Sequence, residues 1–219
     1  MKLKKINPDL QTALTENGIV EPTELQLESW STIKSGADCV ISAPKGSGKT
    51  TAIVLNVIQK LERATGESTR ALIFVEDKEK VVEMAELFSL YGNYADLRVL
   101  GSHDKGNTDY DKNIISLGLD VLIGTPTKIN ALFSSAGFNM NTIKMFIVDD
   151  ADLLFKNRMD AVIHRLSGSV EKTQRIFFTE IVSERVEALA DRIMVEPTFF
   201  EMDDEVEDDD EIEINNNNN

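Results

Sequence analysis

Three things are scarce in this sequence of 219 residues: cysteine, long apolar runs and positive charge. The single cysteine, Cys39, excludes a disulfide framework and a site built from several thiolates, and it favours a reducing, intracellular setting. No apolar run approaches the roughly 20 residues that cross a bilayer, and no apolar segment follows the basic start MKLKK. We therefore expect a cytoplasmic protein that has no contact with a membrane.

The shortage of positive charge is concentrated at one end of the chain. The sequence has 23 Lys and Arg against 38 Asp and Glu, a formal charge of −15 that, taken whole, disfavours binding to phosphate groups. Residues 201–214 hold ten of these acids and no base, which leaves 28 acids against 23 bases, a net charge of −5, for residues 1–200. Charge therefore does not exclude a nucleic-acid ligand for that part of the chain.

Short apolar runs alternate with longer amphipathic segments along residues 1–200. The runs are rich in β-branched and aromatic residues, as buried parallel strands are, and the segments between them have helical length and spacing. We predict strands over 39–42, 71–75, 97–100, 121–124, 145–148 and 175–179. We predict helices over 8–17, 25–34, 50–63, 78–91, 109–117, 126–134, 158–165 and 183–193. This alternation predicts an α/β fold, a doubly wound, mostly parallel sheet with helices on both faces.

The composition divides the chain into one domain, residues 1–200, and a tail, residues 201–219. The first part is long enough for a single core and too short for two domains of ordinary size. The tail EMDDEVEDDDEIEINNNNN has little to bury and a high charge. We expect it to be disordered, either as an acidic tail or as the start of an interdomain linker.

A glycine-rich segment, APKGSGKT over residues 43–50, follows the first predicted strand and leads into a predicted helix. That order is typical of a P-loop, in which backbone N–H groups surround phosphate, although a chance glycine-rich turn would look similar. Lys49 is placed to reach the β- and γ-phosphate oxygens, and Thr50 to offer its hydroxyl to Mg²⁺. The predicted nucleotide-contacting residues here are Ala43, Pro44, Lys45, Gly46, Ser47, Gly48, Lys49, Thr50 and Thr51.

Two carboxylates, Asp149 and Asp150, directly follow the apolar run 145–148. In P-loop NTPases an acid at the end of a strand near the P-loop strand holds the nucleotide's Mg²⁺. Carboxylates at strand ends also occur for no catalytic reason, so the position alone would carry little weight. Together with the P-loop it predicts that Asp149 and Thr50 are associated with the metal.

With these residues, the chain resembles the DEAD-box RNA helicase family, specifically the first of its two RecA-like domains. The resemblance runs in order over nearly the whole chain. The matching segments are GIVEPTELQ (18–26) for the Q motif, residues 43–50 for motif I, ALIFVEDKEK (71–80) for motif Ia, GTPTKI (124–129) for motif Ib, DDAD (149–152) for Asp-Glu-Ala-Asp, RIFFTEIVSERVEALA (175–190) for the segment with motif III, and MVEPTFFEM (194–202) for the closing strand.

The resemblance implies an ATP-dependent RNA helicase that binds ATP with Mg²⁺. Gln26 would read the adenine edge, Lys49 and Asp150 would be catalytic, and Asp152 and Thr179 would couple hydrolysis to strand separation. Contacts to the RNA backbone, without sequence preference, would come from Lys78, Gly101, Thr125, Pro126 and Lys128. Lys78, Lys80 and Lys128 form either a local basic patch or ordinary solvated surface.

Several residues depart from the family's pattern. Asp150 stands where the family has Glu and is one methylene shorter, which changes the geometry of a general base. Ile181 replaces a hydroxyl residue of motif III and cannot donate a hydrogen bond. Both substitutions fall on residues that act during hydrolysis, so we expect turnover and its coupling to RNA to be affected.

The second RecA-like domain, which supplies arginine fingers in the family, is not among these residues. We therefore expect the isolated chain to be weakly active or inactive and to need that domain in cis or in trans. The chain is either a fragment of a longer helicase or a stand-alone relative. In the second case it would be a non-catalytic module that recruits a basic protein partner through its surface or its acidic tail.

Overall fold

The computed structural model describes residues 2–135 and 137–202, and within them a seven-stranded sheet is parallel throughout. The strands are β1 (Cys39–Ser42), β2 (Ala71–Phe74), β3 (Val99–Ser102), β4 (Val121–Gly124), β5 (Met145–Val148), β6 (Gln174–Thr179) and β7 (Thr198–Glu201). The helices are α1 (Pro8–Glu16), α2 (Glu24–Ser35), α3 (Lys49–Leu61), α4 (Lys78–Tyr91), α5 (Thr108–Ser116), α6 (Pro126–Ser134), α7 (Ala151–Lys156), α8 (Asp160–Ser167) and α9 (Glu184–Ile193).

The strand order is β3-β4-β2-β5-β6-β1-β7, so β1 lies next to β6 and β7 although β2 follows it in sequence. Ser42 at the end of β1 is opposite Thr179 at the end of β6, and Phe74 at the end of β2 is opposite Val148 at the end of β5. The carboxyl ends of these strands therefore meet at one edge of the sheet. The predicted α/β fold with a doubly wound parallel sheet is confirmed.

Two hydrophobic cores cover the two faces of the sheet. Successive strand residues point to opposite faces, so Ile41 packs in the core with α2, α3 and α4, while Val40 packs in the core with α6 to α9. Cys39 is a free thiol buried in the first of these cores, and burial, with the charge of Asp38, raises its pKa to about 12. It is therefore a small buried side chain.

Most predicted elements lie where the sequence places them, with two instructive differences. β3 is two residues later than predicted and includes Gly101 and Ser102, which pair with β4. The segment predicted as a single helix from residue 158 is preceded by a further helix, α7, and α8 begins only at Asp160. The break between them contains Arg158 in a left-handed conformation, φ 62°, which no helix interior accommodates.

The acid-rich tail falls almost wholly on residues 203–219, which lie outside the described residues. Glu201 is instead the last residue of β7, opposite Ser42, and the N–H of Met202 donates to the carbonyl of Ser42 at 2.9 Å. The strand therefore ends one residue past residue 200, within the segment 194–202 that resembles the family's closing strand. Within the described residues no helix is long and apolar enough to cross a membrane.

A buried carboxylate closes the edge of the sheet opposite the carboxyl ends. Asp120, immediately before β4, is fully buried and accepts hydrogen bonds from the side chains of Arg70, at 2.6 and 3.1 Å, and Arg98, at 2.8 and 3.2 Å. The backbone N–H groups of Arg98 and Thr65 also donate to it. The pair of guanidinium groups joins the segments that enter β2, β3 and β4.

We predict that Asp120→Asn lowers the free energy of unfolding by about 3 kcal/mol at pH 7, because the buried Arg70 and the half-buried Arg98 lose their shared buried counter-charge. Urea denaturation followed by circular dichroism measures this difference. The matched control is Asp191→Asn, an exposed acid on α9, for which we expect a change within about 0.5 kcal/mol.

The same substitution should remove a pH dependence. Burial acts to raise the pKa of Asp120, but the hydrogen bonds from Arg98 and Arg70 outweigh burial and hold that pKa below its ordinary value. A lowered pKa means that the carboxylate stabilises the fold fully above the unfolded pKa, about 4, and that this contribution is lost as the pH falls through the folded value. The difference between wild type and Asp120→Asn should therefore shrink on acidification. An equal difference at pH 7 and pH 3 contradicts this account.

Candidate nucleotide-binding site

The P-loop forms a tight turn between β1 and α3. Gly46 and Gly48 both have positive φ, 86° and 92°, which residues with a Cβ rarely adopt. Lys49, the first residue of α3, is buried, and its ammonium donates to the carbonyls of Ala43 at 2.7 Å and Pro44 at 2.9 Å. No side chain caps α3, so its first N–H groups remain available for an anion.

Gln26 lies directly against this loop. It is buried in the first turn of α2 and forms a reciprocal cap with Thr23: the backbone N–H of Thr23 donates to Gln26 Oε1 at 3.2 Å, and the N–H of Gln26 donates to Thr23 Oγ1 at 3.4 Å. A Cβ at Gly48 would come within 3.3 Å of Gln26 Nε2. The structure therefore brings Gln26 and the P-loop together, with the oxygen of its amide engaged in the cap.

The chain turns sharply at the end of β5, where the two predicted carboxylates lie. Asp150 has a left-handed conformation, φ 48° and ψ 49°, at the start of α7. This conformation costs about 1 kcal/mol or more for a residue with a Cβ, and Asp tolerates it better than most residues. Asp149 is buried, and its Oδ1 accepts from the N–H of Asp150 at 3.1 Å. The turn therefore sets two carboxylates side by side.

The second oxygen of Asp149 fits a hard cation. Asp149 Oδ2 is buried and has no hydrogen-bond partner, and the nearest ammonium, that of Lys80, is 4.0 Å away. A carboxylate oxygen and the Thr50 hydroxyl are the types of ligand that Mg²⁺ takes beside a nucleotide. These residues therefore have the chemistry that a magnesium ion requires.

Burial and mutual repulsion shift the charge state of this pair. Burial, reinforced by the charge of Asp150, raises the pKa of Asp149 to about 7, although Lys80 and Lys49 oppose the shift. Burial also raises the pKa of Asp150, against the opposing charges of Lys80 and Lys49. For Lys80, burial disfavours the charged form, but Asp149 and Glu83 outweigh it and raise the pKa of the ammonium. A further positive charge would be stabilised here.

An open cavity of about 710 Å³ lies between the P-loop, the end of β5 and the start of α4. Its walls carry the following predicted site residues: Lys45, Gly46, Gly48, Lys49, Thr50, Thr51, Asp150 and Asp152. Its remaining charged residues are Glu76, Asp77, Glu79, Lys80, Glu83 and Glu180. Seven carboxylates therefore face three ammonium groups around the cavity.

A hydrogen-bond cluster ties α7 to the end of β6. The hydroxyl of Thr179 lies 2.7 Å from Asp152 Oδ1 and 2.9 Å from the carbonyl of Ile181, and the N–H of Glu180 donates to Asp152 at 3.2 Å. Asp152 N–H donates in turn to Thr179 Oγ1 at 3.3 Å. The side chain of Ile181 is exposed and takes no part. The predicted pair Asp152 and Thr179 is thus in contact.

The predicted RNA-contacting residues lie elsewhere, beyond β2, β3 and β4. Lys128 is buried in α6, and its ammonium donates to the carbonyl of Gly106 at 2.7 Å and to Thr108 Oγ1 at 2.9 Å, with Asp111 Oδ2 at 3.2 Å. These three oxygens use the donors of the ammonium group. Lys128 is therefore not part of an exposed basic patch. The sequence did not indicate this, because it does not reveal that Asp111 is the buried acidic partner of Lys128.

The other residues of this predicted surface have structural roles of their own. Thr125 caps α6 and donates to Asp104 at 3.1 Å, and Pro126 is the buried first residue of that helix. A Cβ at Gly101 would lie 2.6 Å from Val81 Cγ1, so α4 packs too closely for a larger residue. Lys78 is exposed. The prediction that these residues contact RNA stays a prediction.

Sequence reasoning missed the position of Lys80. The residue was grouped with Lys78 and Lys128, whereas its side chain faces the cavity and lies beside Asp149. Its place in the first turn of α4, directly after β2, was a usable signal, because residues that follow a strand of a parallel sheet lie at the ligand-binding edge.

A sequence model of the DEAD/DEAH box helicase family matches residues 23–188, which include all the elements of this site. The chain belongs to the DEAD/DEAH box helicase family. Among curated relatives, it is 27% identical over 195 residues to an ATP-dependent rRNA helicase, RRP3, of Encephalitozoon cuniculi, a match that covers 88% of this chain and 48% of the relative. It is 31% identical over 188 residues to an ATP-dependent RNA helicase, DBP4, of Kluyveromyces lactis, covering 81% and 24%.

A solved structure supports the fold. The crystal structure of a DEAD box protein from the hyperthermophile Methanococcus jannaschii is similar with a TM-score of 0.82 and 20% sequence identity, over 91% of this chain and 55% of that one. Its similarity establishes the RecA-like α/β fold. The chain spans about half the length, or less, of the curated relatives that it matches.

We predict that Thr179→Val lowers the free energy of unfolding by about 1 kcal/mol, because the partly buried carboxylate of Asp152 loses one of its two donors while the side-chain volume is kept. Chemical denaturation measures the change. The matched control is Thr198→Val in β7, an exposed strand position, where we expect no loss. Equal stabilities for Thr179→Val and wild type contradict the role of this contact.

Proposed function

We propose that the chain is the ATP-binding RecA-like domain of an ATP-dependent RNA helicase and that it binds ATP with Mg²⁺. The observation that carries the proposal is the convergence of the P-loop, with Lys49 at its centre, and Asp150 around one cavity, with the buried carboxylate of Asp149 directly before Asp150 in the chain. Membership of the DEAD/DEAH box helicase family supports the choice of ATP among nucleotides. Gln26, beside Gly48, supports recognition of the adenine edge.

Each residue has a defined part in this proposal. The backbone N–H groups at residues 46–50 surround the phosphates, and Lys49 turns from the carbonyls of Ala43 and Pro44 to the β- and γ-phosphate oxygens. Thr50 and Asp149 would hold Mg²⁺, which would supply positive charge beside the phosphate oxygens. Asp150 orients the attacking water. The contact between Asp152 and Thr179 links α7 to β6 and transmits changes at the site to the residues that follow β6.

Hydrolysis and unwinding require a second RecA-like domain in this proposal. The cavity is open on one side and lacks an arginine among its lining residues. An arginine supplied by another domain raises the rate of phosphoryl transfer by about 10³ to 10⁵ in related NTPases. The curated relatives are at least about twice as long as the matched part of this chain, which is compatible with such a domain. RNA would bind through its backbone at the carboxyl edge of β3 and β4, in a cytoplasmic setting.

A second candidate function is a non-catalytic module that acts through protein partners. One observation favours it: the ammonium of Lys128 is paired with Asp111, so a predicted phosphate contact is neutralised within the fold. The shorter side chain of Asp150 points the same way. In this case a basic partner would bind the acidic tail, and deletion of residues 203–219 would weaken that complex while the Lys49→Ala change would not.

We predict that Lys49→Ala weakens the binding of a fluorescent ATP analogue in Mg²⁺ at least about tenfold, because the ammonium makes charge-assisted hydrogen bonds to phosphate. Equilibrium fluorescence titration measures the dissociation constant. Lys172→Ala, an exposed lysine before β6, is the control and should bind as wild type does. If wild type and Lys49→Ala bind equally, the proposal of a nucleotide site is wrong.

The RNA-binding part of the proposal separates Lys78 from Lys128. Lys78→Ala should weaken binding of a mixed-sequence single-stranded RNA a few-fold and reduce the slope of log affinity against log salt by about 1. Lys128→Ala should instead destabilise the fold, because Asp111 would lose its buried partner. Fluorescence anisotropy over a salt series measures the first effect and urea denaturation the second. Absence of RNA binding by wild type at low salt supports the non-catalytic alternative.

A further inference from the structure

Lys80 lines the proposed nucleotide cavity and lies beside the buried carboxylate of Asp149. It is in the first turn of α4, where the N-cap residue Asp77 accepts a hydrogen bond from the Lys80 N–H at 2.9 Å and fixes the backbone. Its ammonium is 4.0 Å from Asp149 Oδ2 and 3.4 Å from Glu83 Oε2. The side chain is only 25% exposed. A positive charge is thus held in place by the start of a helix and by two carboxylates.

The oxygen that Lys80 approaches is the one left for a metal. Asp149 Oδ1 accepts the N–H of Asp150, whereas Oδ2 has no hydrogen-bond partner. A separation of 4.0 Å is too long for a direct hydrogen bond, but it is short enough for strong electrostatic attraction in a partly buried setting. The ammonium therefore provides charge at Asp149 without filling the coordination position itself.

The carboxylates around the cavity make the positive charge of Lys80 important for a polyphosphate ligand. Glu76, Glu83, Asp150 and Glu180 line the same cavity, and each would repel a nucleotide. Lys45 and Lys49 on the P-loop and Lys80 on α4 oppose this repulsion from two sides. A nucleotide that enters without a metal meets Lys80 as the one cation outside the P-loop among the lining residues. A metal that enters with the nucleotide is repelled by the same ammonium.

We propose that Lys80 is a specificity-determining residue that takes over part of the charge neutralisation otherwise supplied by Mg²⁺, so that nucleotide binding to this chain depends only weakly on the metal. The proposal rests on the proposed nucleotide site. The inference adds to the proposed site a protein cation, the ammonium of Lys80 on α4, beside the carboxylate of Asp149 that would bind Mg²⁺. Removal of Lys80 should weaken metal-free binding and strengthen the response to Mg²⁺.

The test compares the dissociation constant of a fluorescent ATP analogue in excess EDTA with that in excess Mg²⁺. The proteins are wild type, Lys80→Met, Lys80→Gln and Lys80→Arg, with Lys172→Met as the control for loss of one exposed lysine far from the cavity. Circular dichroism and urea midpoints establish that each variant is folded. The two neutral variants differ in polarity, so one remains informative if the other fails to fold.

For wild type we expect the two dissociation constants to differ by less than about tenfold, since a fixed ammonium at short range offsets much of the repulsion. For Lys80→Met and Lys80→Gln we expect the ratio of the dissociation constant in EDTA to that in Mg²⁺ to rise at least about tenfold above the wild-type ratio. Lys80→Arg, which keeps the charge, and Lys172→Met should both retain the wild-type ratio.

The outcomes separate this inference from the proposed function. If wild type binds the nucleotide but the neutral variants show an unchanged or smaller ratio, Lys80 is a structural ion-pair residue and the inference is overturned alone. If wild type binds no nucleotide with or without Mg²⁺, the proposed function and the inference are overturned together. A raised ratio in the neutral variants, restored by Lys80→Arg, supports the inference.

Discussion

In a sheet whose strands all run in one direction, the carboxyl end of every strand lies at the same edge. The seven described strands of this chain are parallel, and β1, β5 and β6 are neighbours or next neighbours in the sheet. The P-loop follows β1, the Asp149–Asp150 turn follows β5, and Thr179 is the last residue of β6. Segments more than 100 residues apart in sequence therefore meet around one cavity, because the sheet brings the ends of their strands together. Strand direction is the constraint from which the site arises.

Electrostatics within this cavity then limits what it can hold. The walls carry more carboxylates than ammonium groups, and burial, reinforced by the charge of Asp150, raises the pKa of Asp149 to about 7. A polyphosphate in such a site would need cations to offset the repulsion. Lys49 supplies one from the P-loop, Lys80 lies near Asp149, and Mg²⁺ would add the rest. The proposed competition between fixed and bound cations would distinguish this site from one in which Mg²⁺ alone supplements the P-loop lysine.

The sequence predicts the local secondary structure of this protein well and the pairing of its charged side chains poorly. The bounds of β1, β4, β5, α4 and α6 are as predicted, because continuous apolar runs and helical spacing are local signals. β3 was placed too early, since Gly101 and Ser102 resemble loop residues and are in the sheet only because β4 extends beside them. α7 was missed because a left-handed Asp150 starts it.

The partners of charged side chains depend on tertiary structure and could not be predicted. Lys78, Lys80 and Lys128 are three lysines that the sequence does not distinguish. In the structure Lys78 is exposed, Lys80 faces the cavity, and Lys128 is buried against Asp111.

The measurement that tests the account most directly is a crystal structure of the chain with a non-hydrolysable ATP analogue and Mg²⁺. The account predicts phosphates at the N–H groups of residues 46–50, with Lys49 moved onto them from Ala43 and Pro44. A nucleotide bound elsewhere, with Lys49 still on both carbonyls, would contradict it.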